Sequence, residues 1–417
     1  MQRLAVLSMH TSPLAQPGSG DGGGMNVYVK ELTSSLARAG VACDVYTRAY
    51  SAAVPPTIEV EPGFRVHHII AGPVSAVPKQ QLHGLVEEFT EGVAARMEVL
   101  EDLDGPVDAI HANYWLSGIA GHTLKHRLDL PLVSTFHTLD RVKAEATPED
   151  LDEAEPQRRA LAEASIIACS DAVLASCQVE VDQLVELYGA DPERVPIVAP
   201  GVDHAFFSPG DQHQARLATG LVGAGPLLLF VGRIQPLKGV DVAIRTLGEL
   251  HSRGFSDARL VIIGGPSGPG GDREVAMLRR LVGELGLEGQ TTFVPPQRHE
   301  LLSSYYRAAD CTLVPSMSES FGLVALEAAA CGTPVVASAV GGLTSLVDDS
   351  LTGFLVEPRD VSGFADGVAR LWDDPVLMAS VRAAAARRAG DYTWASAAAA
   401  LQVVYAGLEQ RQLVECG

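Results

Sequence analysis

Pro315-Ser-Met-Ser-Glu-Ser-Phe-Gly-Leu-Val-Ala-Leu-Glu327 reads as the end of a strand, a tight loop and the start of a helix. Leu313-Val314 before it is apolar, and Gly322 opens an apolar helical run from Leu323 to Ala330. A helix start offers backbone N–H groups without an intrahelical partner and the positive end of the helix dipole, so it favours an anion. Glu319 stands in the loop before that start, and Glu327 stands about one and a half turns inside the helix. Phosphates need donors, whereas sugar hydroxyls need acceptors. A diphosphate on Phe321, Gly322 and Leu323, flanked by two carboxylates, therefore describes a nucleotide-sugar site. Two unrelated acids on a solvated helix start would give the same pattern, so the rest of the chain decides.

Upstream, Val231-Gly-Arg-Ile-Gln-Pro-Leu-Lys-Gly239 follows the apolar run Leu227–Phe230 and leads into another helical pattern. Arg233 can grip a phosphate with two parallel hydrogen bonds, and Lys238 supplies a mobile point charge. Further upstream, Gly18-Ser-Gly-Asp-Gly-Gly-Gly-Met-Asn26 lies between the strand candidate starting at Leu4 and the helix candidate Val27–Ala39. Glycines let backbone approach a ligand closely. The spacing is not that of a dinucleotide fingerprint, which argues against a dehydrogenase. Gly264-Gly-Pro-Ser-Gly-Pro-Gly-Gly271 is a weaker turn signal of the same kind.

Strand-like and helical patterns alternate throughout. Strands are expected at Leu4–Ser8, Ala42–Thr47, Ala109–Ala112, Leu132–Thr135 and Ala172–Ala175, then at Leu227–Gly232, Arg259–Ile263, Thr291–Phe293, Cys311–Val314 and Pro334–Ala337. A long helix is expected at Leu82–Leu100. Such alternation implies parallel sheets covered on both faces. The run Ala199-Pro-Gly-Val-Asp-His-Ala-Phe-Phe-Ser-Pro-Gly210 reads as a linker. The expected organisation is α/β, two doubly wound Rossmann-like domains facing across a cleft: residues 1–205, residues 206–393, and a helical segment 394–417 returning to the first domain.

The 417 residues carry 31 basic against 51 acidic groups, a formal charge of −20. That argues against a nucleic-acid partner and against binding to an anionic membrane surface. No apolar run approaches the ~20 residues of a membrane span, and a cytoplasmic location is expected. Cys43, Cys169, Cys177, Cys311, Cys331 and Cys416 lack C-x-x-C spacing and read as small buried hydrophobes, not as disulfides or zinc ligands. His10, His111 and His137 sit near strand ends without the helical spacing of metal ligands, so no metal site is expected. His137, in Phe136-His-Thr138 after a strand, is a candidate for the reaction centre.

Arg233 with Lys238, followed by Glu319-x7-Glu327, resembles the retaining GT-B glycosyltransferases of family 4. Asn113-Tyr-Trp-Leu-Ser-Gly118, Tyr306-Arg-Ala-Ala-Asp310 and the glycine-rich phrase running to Tyr28 sharpen the resemblance. It implies UDP-N-acetylglucosamine as donor and an inositol phosphate as acceptor. Arg233 and Lys238 would stabilise the diphosphate, Glu319 would hold the donor sugar and Glu327 the ribose. Gly24 would lie against the diphosphate, with Gln297 or Arg298 at the uracil. On the acceptor side the resemblance implies Lys79, Tyr114, Thr138 and either Arg158 or Arg159 around the phosphate. His10 and Asn26 would meet the ring, and His137 would lie beside the anomeric carbon. No cofactor is required by this scheme. Some family members are described with a magnesium ion near Tyr306, Arg307, Ala309 and Thr333, a stretch without a carboxylate cage.

The acid-rich stretch Lys143–Pro156 leaves another cyclitol or aminocyclitol open as acceptor, and a sucrose-phosphate-synthase-like enzyme is a further alternative. A non-catalytic nucleotide-sugar sensor would lack Arg233, Lys238 or the glutamates, and all are present. Whether the chain is a monomer or a homodimer is left open.

Overall fold

A computed structural model describes residues 2–18, 20, 22–146, 154–223, 225–268, 270–409 and 412–416. Ser19 and Asp21 of the glycine-rich loop, and Thr147–Glu153 of the acid-rich stretch, lie outside the described residues. The chain divides into two units. One comprises Met1–Ala15, Met25–Pro200 and Trp394–Gly417; the other comprises Gln16–Gly24 and Gly201–Thr393. The division after Pro200 falls a few residues before the expected 205/206 boundary, and Gln16–Gly24 groups with the second unit.

The first unit is built on a seven-stranded sheet. Its strands are β1 (Arg3–Leu7), β2 (Ala42–Arg48), β3 (Thr57–Glu61), β4 (Phe64–Ile69), β5 (Ala109–Asn113), β6 (Leu132–Thr135) and β7 (Ala172–Leu174). The order is β3-β4-β2-β1-β5-β6-β7, parallel except for β3, which runs antiparallel to β4. Every residue of β1 and β5 is buried. Successive side chains point to opposite faces, so both faces of the sheet's centre are covered. Ala5, Leu7 and Ile110 share one core with Phe89, Leu116 and Ile166.

The second unit has six parallel strands: β8 (Leu227–Val231), β9 (Arg259–Ile263), β10 (Thr291–Val294), β11 (Cys311–Val314), β12 (Val335–Ser338) and β13 (Gly353–Val356). Their order is β10-β9-β8-β11-β12-β13. Leu228, Phe230, Ile262, Leu313 and Val336 form its core with Leu247 and Phe364.

The ten expected strands are all present within a residue or so of their bounds. The hairpin β3–β4 and the edge strand β13 were not expected. Ile58-Glu-Val-Glu61 alternates charge with apolar groups, as suits an edge strand with one solvated face. The expected helix Leu82–Leu100 is a 3-10 turn, Lys79–Leu85, followed by a helix, Val86–Asp104. The C-terminal helix spans Trp394–Leu408, shorter than the expected helical segment 394–417. It packs within the first unit, where the buried Tyr405 hydroxyl lies 2.9 Å from His111 Nδ1.

Two cysteines depart from the expectation of isolated buried thiols. Cys169 and Cys416, 247 residues apart in sequence, stand sulfur against sulfur with their Cα atoms 5.3 Å apart. His122 and His126 stand beside them, each bringing a ring nitrogen to within 4.8 Å of both sulfurs. The pairing depends on the chain's tail folding back onto the first unit, which no local pattern encodes.

Candidate active site

Each sheet has one place where the chain, after adding strands outward in one direction, returns to add them in the other. In the second unit this lies between β8 and β11, which pair as Cys311 with Leu228 and Thr312 with Leu229. Ligands of open parallel sheets bind outside the strands' carboxyl ends at such a point. The loops leaving these two strands carry Arg233 with Lys238, and Glu319. Met317 N–H bonds to the Leu237 carbonyl at 2.8 Å and ties the loops together.

Gly239 makes the first loop possible. It has φ of 66°, and a Cβ there would lie 2.2 Å from the Pro315 carbonyl oxygen. Gly322, with φ of 104°, caps the helix Leu323–Ala330. A side chain at Gly322 would be both strained and obstructed by Leu343, 2.6 Å away.

Lys238 Nζ donates to Glu319 Oε2 at 2.6 Å, and the Ser316 hydroxyl donates to the same oxygen at 3.1 Å. Both partners of the ion pair remain partly exposed. Gly23 and Gly24 approach this region from the glycine-rich loop. A Cβ on Gly23 would lie 3.4 Å from Arg233 Nε, and one on Gly24 would lie 3.4 Å from Leu323 at the helix start. The structure thus brings Gly24, Arg233, Lys238, Glu319, Gly322 and Leu323 into one neighbourhood. Phe321 is buried, edge-on to Tyr392 with ring centres 5.7 Å apart.

Glu327 is buried deeper than its partner. His299 Nε2 donates to its Oε1 at 2.7 Å and the Tyr306 hydroxyl donates to Oε2 at 2.9 Å. A carboxylate has about four lone-pair sites, so each oxygen keeps capacity for a hydroxyl. Burial, with the neighbouring Glu327 charge, pushes the Tyr306 phenol well above its usual range, so it stays a donor. Gln297 donates to the Pro295 carbonyl at 2.9 Å. Arg298 is 76% exposed and stands 3.7 Å from Glu300.

The stretch considered for magnesium does not fit that ion. The Thr333 hydroxyl donates to the Tyr306 carbonyl at 2.7 Å, and Gln212 donates to the Ala309 carbonyl at 3.0 Å. The Arg307 side chain contributes only donors, two of them to the carbonyls of Phe206 and Ser208. Magnesium needs an octahedron of oxygens.

In the first unit the corresponding point lies between β1 and β5, paired from Leu4–Ala109 to Leu7–Ala112. Tyr114 follows β5 with φ of 74°, and His137 follows β6 with φ of 62°. Both are non-glycine residues in the left-handed region, a strained state that clusters at functional sites. Three groups surround the Tyr114 ring. The His10 ring lies tilted at 4.4 Å, Lys79 Nζ sits 4.6 Å from the centroid, and the Arg159 guanidinium sits 5.0 Å from it. Burial would raise the Tyr114 phenol's pKa, but Lys79 and Arg159 outweigh burial and pull it down.

Arg159 is aimed by a buried glutamate. Its Nε donates to Glu163 Oε1 at 2.7 Å, and its other end donates to Thr138 Oγ1 at 3.1 Å. Glu163 also accepts from the Asp140 N–H at 2.9 Å and from the Tyr188 hydroxyl. Arg158, by contrast, is exposed. Of the two arginines, Arg159 is the one that reaches the Tyr114 ring. Sequence reading missed Lys143, whose ammonium pKa is lowered by burial and by the charges of Arg159 and Lys79. It missed Glu163 and His299 as well, because their roles depend on partners from distant segments.

His137 Nε2 donates to Asn113 Oδ1 at 2.9 Å, and its ring lies 4.8 Å from Tyr28. Burial, with His111 nearby, lowers its pKa to about 3, so the imidazole is neutral at ordinary pH. Asn26 is buried, and its amide donates to Thr11 Oγ1 at 2.7 Å and to the Ser12 carbonyl at 2.6 Å. It therefore shapes the loop after β1.

Two family models match the chain: a glycosyl transferase 4-like domain over residues 23–201 and glycosyl transferases group 1 over residues 211–388. The chain is 46% identical over 408 residues to a D-inositol 3-phosphate glycosyltransferase of Actinosynnema mirum, covering 97% of each chain. A Nocardia farcinica protein of the same name is 45% identical, over 97% of this chain and 89% of that one. Among solved structures, a sucrose-phosphate synthase from Thermosynechococcus elongatus superimposes with a TM-score of 0.88 at 32% identity, over 98% of this chain and 99% of that one. Two parallel-sheet α/β units with these likenesses make the chain a GT-B glycosyltransferase, an enzyme. The chain belongs to the D-inositol 3-phosphate glycosyltransferase family. Among the described residues, no helix is long and apolar enough to cross a membrane.

Proposed function

We propose that this enzyme transfers N-acetylglucosamine from UDP-N-acetylglucosamine to 1D-myo-inositol 3-phosphate with retention of configuration, in the cytoplasm, as the first step of mycothiol biosynthesis. The observation that carries the acceptor assignment is the cationic ring around Tyr114, with Lys79 at 4.6 Å and Arg159 at 5.0 Å. Glu163 balances Arg159, and Lys79 adds a second cation at the same ring, so the cluster has positive charge to offer an anion. A phosphate monoester would take charge-assisted hydrogen bonds from both, with Thr138 alongside.

In this reading Arg233, Lys238 and the helix start at Leu323 hold the diphosphate and stabilise its charge as the anomeric C–O bond breaks. Glu319 takes the sugar hydroxyls, and Glu327 takes the ribose. A phosphate oxygen of the leaving diphosphate takes the acceptor hydroxyl's proton on the same face as the new C–O bond forms. Neutral His137 is then a hydrogen-bonding partner beside the anomeric carbon, not an acid.

The test is UDP release from UDP-N-acetylglucosamine against phosphorylated and free cyclitols, with the product's anomeric configuration read by NMR. Preference for a free cyclitol or an aminocyclitol would overturn the acceptor. An inverted product would overturn the mechanism.

A further inference from the structure

Away from these residues, the first unit gathers four side chains that the transfer reaction does not use. His122 and His126 lie one turn apart on the helix Trp115–Leu128, on one face. Cys169 ends the helix Ala154–Cys169, and Cys416 comes from the tail beyond the helix Trp394–Leu408. One ligand atom from each lies within 4.8 Å of the other three. We infer that His122, His126, Cys169 and Cys416 form a tetrahedral site for a zinc-type divalent cation, which fastens the C-terminal tail to the first unit.

The nitrogen–sulfur distances fit a metal tetrahedron, which the two sulfurs, at bonding distance from each other here, would complete once reduced and parted. Zinc bonds of about 2.3 Å to sulfur and about 2.0 Å to nitrogen, at tetrahedral angles, set sulfur–nitrogen edges of roughly 3.5 Å. His126 Nε2 lies 3.3 Å from Cys169 Sγ and 3.1 Å from Cys416 Sγ, and His122 Nε2 lies 3.6 Å from Cys416 Sγ. Two thiolates with two imidazoles are a donor set that selects zinc over the oxygen-seeking cations.

The cysteines are also positioned by something other than each other. Asp171, two residues beyond Cys169, accepts from the Val414 N–H at 2.7 Å, two residues before Cys416. The same carboxylate accepts from Lys125 Nζ at 2.7 Å and from the Leu132 N–H at 2.7 Å. Lys125 lies between the two histidines on their helix and also donates to the Cys169 carbonyl at 2.9 Å. One buried ion pair thus seats the helix, the segment after Cys169 and the tail. The structure itself places the two sulfurs in the competing arrangement, a disulfide. It would leave both imidazoles directed at sulfurs with no ligand role. The buried thiols Cys43, Cys311 and Cys331 suit a reducing compartment, where disulfides are rare. Metal binding releases the two thiol protons and involves no redox step.

The test uses the full chain, reduced, loaded with zinc and dialysed, with metal measured by mass spectrometry. About one zinc ion per chain is expected, as for a closed four-ligand site. Cys416→Ser and His126→Ala should each lose it while keeping the wild-type circular dichroism. Cys416 lies in a tail and His126 is exposed, so neither substitution threatens the fold. Cobalt in place of zinc should give a thiolate charge-transfer absorption that disappears in Cys416→Ser. Three results would each overturn the site: wild type without stoichiometric zinc, zinc content unchanged in both variants, or a Cys169–Cys416 disulfide that persists in metal-loaded protein under non-reducing mass spectrometry.

Discussion

Lys238 Nζ donates to Glu319 Oε2 at 2.6 Å, so the cation assigned to the leaving diphosphate and the carboxylate assigned to the donor sugar hold each other. Such a pair keeps each charge compensated until a ligand brings its own phosphates and hydroxyls. It also fixes Lys238, whose long side chain would otherwise sample many rotamers at an entropic cost. Lys238→Ala should therefore lower kcat by roughly 10²–10³, the cost of removing one preorganised donor to developing charge. Glu319→Gln should lower kcat too, through a loosened Lys238, while the melting temperature moves little in either variant. Near-normal turnover in a folded Lys238→Ala enzyme would remove that lysine from the mechanism.

Glu327 should behave differently because it is buried and bonded to His299 and Tyr306. Glu327→Ala removes one acceptor from each donor, and losing a buried hydrogen bond of this kind costs about 1–3 kcal/mol. Loss of stability should accompany weaker UDP binding in that variant. Glu327→Gln keeps the volume and separates the two effects. Calorimetry with UDP alone should show weakened binding in Glu327→Gln, because the ribose is common to all UDP donors. Unchanged affinity would mean that Glu327 serves only the fold.

At the acceptor cluster the two neighbouring arginines should part company. Lys79→Ala and Arg159→Ala should each raise KM for inositol 3-phosphate by about 10- to 100-fold, the worth of a charge-assisted hydrogen bond. Arg158→Ala should leave KM within about twofold, since an exposed surface charge contributes little. Glu163→Gln should raise KM while leaving UDP binding intact, because Glu163 bears on the acceptor cluster through Arg159. Equal effects of Arg158→Ala and Arg159→Ala would contradict this assignment.

Acid should weaken the first unit through its buried histidines. Burial lowers the pKa of His111 to about 3, and burial with the nearby His111 does the same for His137, against an unfolded value near 6.5. Between those values the unfolded chain binds more protons, so stability falls as pH drops from about 6.5 toward 3. Each histidine contributes up to ~1.4 kcal/mol per pH unit over that window. Denaturant melts across the range should show the slope, and His137→Gln should reduce it. A slope unchanged by that substitution would mean that His137 is protonated in the folded state.

Local periodicity and punctuation determined the parallel α/β architecture, because buried strands and the loops after them are written in consecutive residues. The runs Leu227–Phe230 and Leu313-Val314, the glycines at 239 and 322, and the spacing of Glu319 and Glu327 needed no long-range knowledge. They sufficed to place the donor residues on loops at strand ends. The tertiary structure alone decided everything that depends on distant segments meeting. It turned Arg159 rather than Arg158 toward Tyr114, because Glu163 and Thr138 hold its two ends. It put Lys143 beside the same cluster and His299 on Glu327. It also joined Cys416 to Cys169 through a tail seated on Asp171, and brought both to a histidine pair whose i, i+4 spacing was legible but unremarked. The physical reason is that a hydrogen bond or an ion pair is fixed by distance in space, and separation along the chain says nothing of that distance until the sheets are formed.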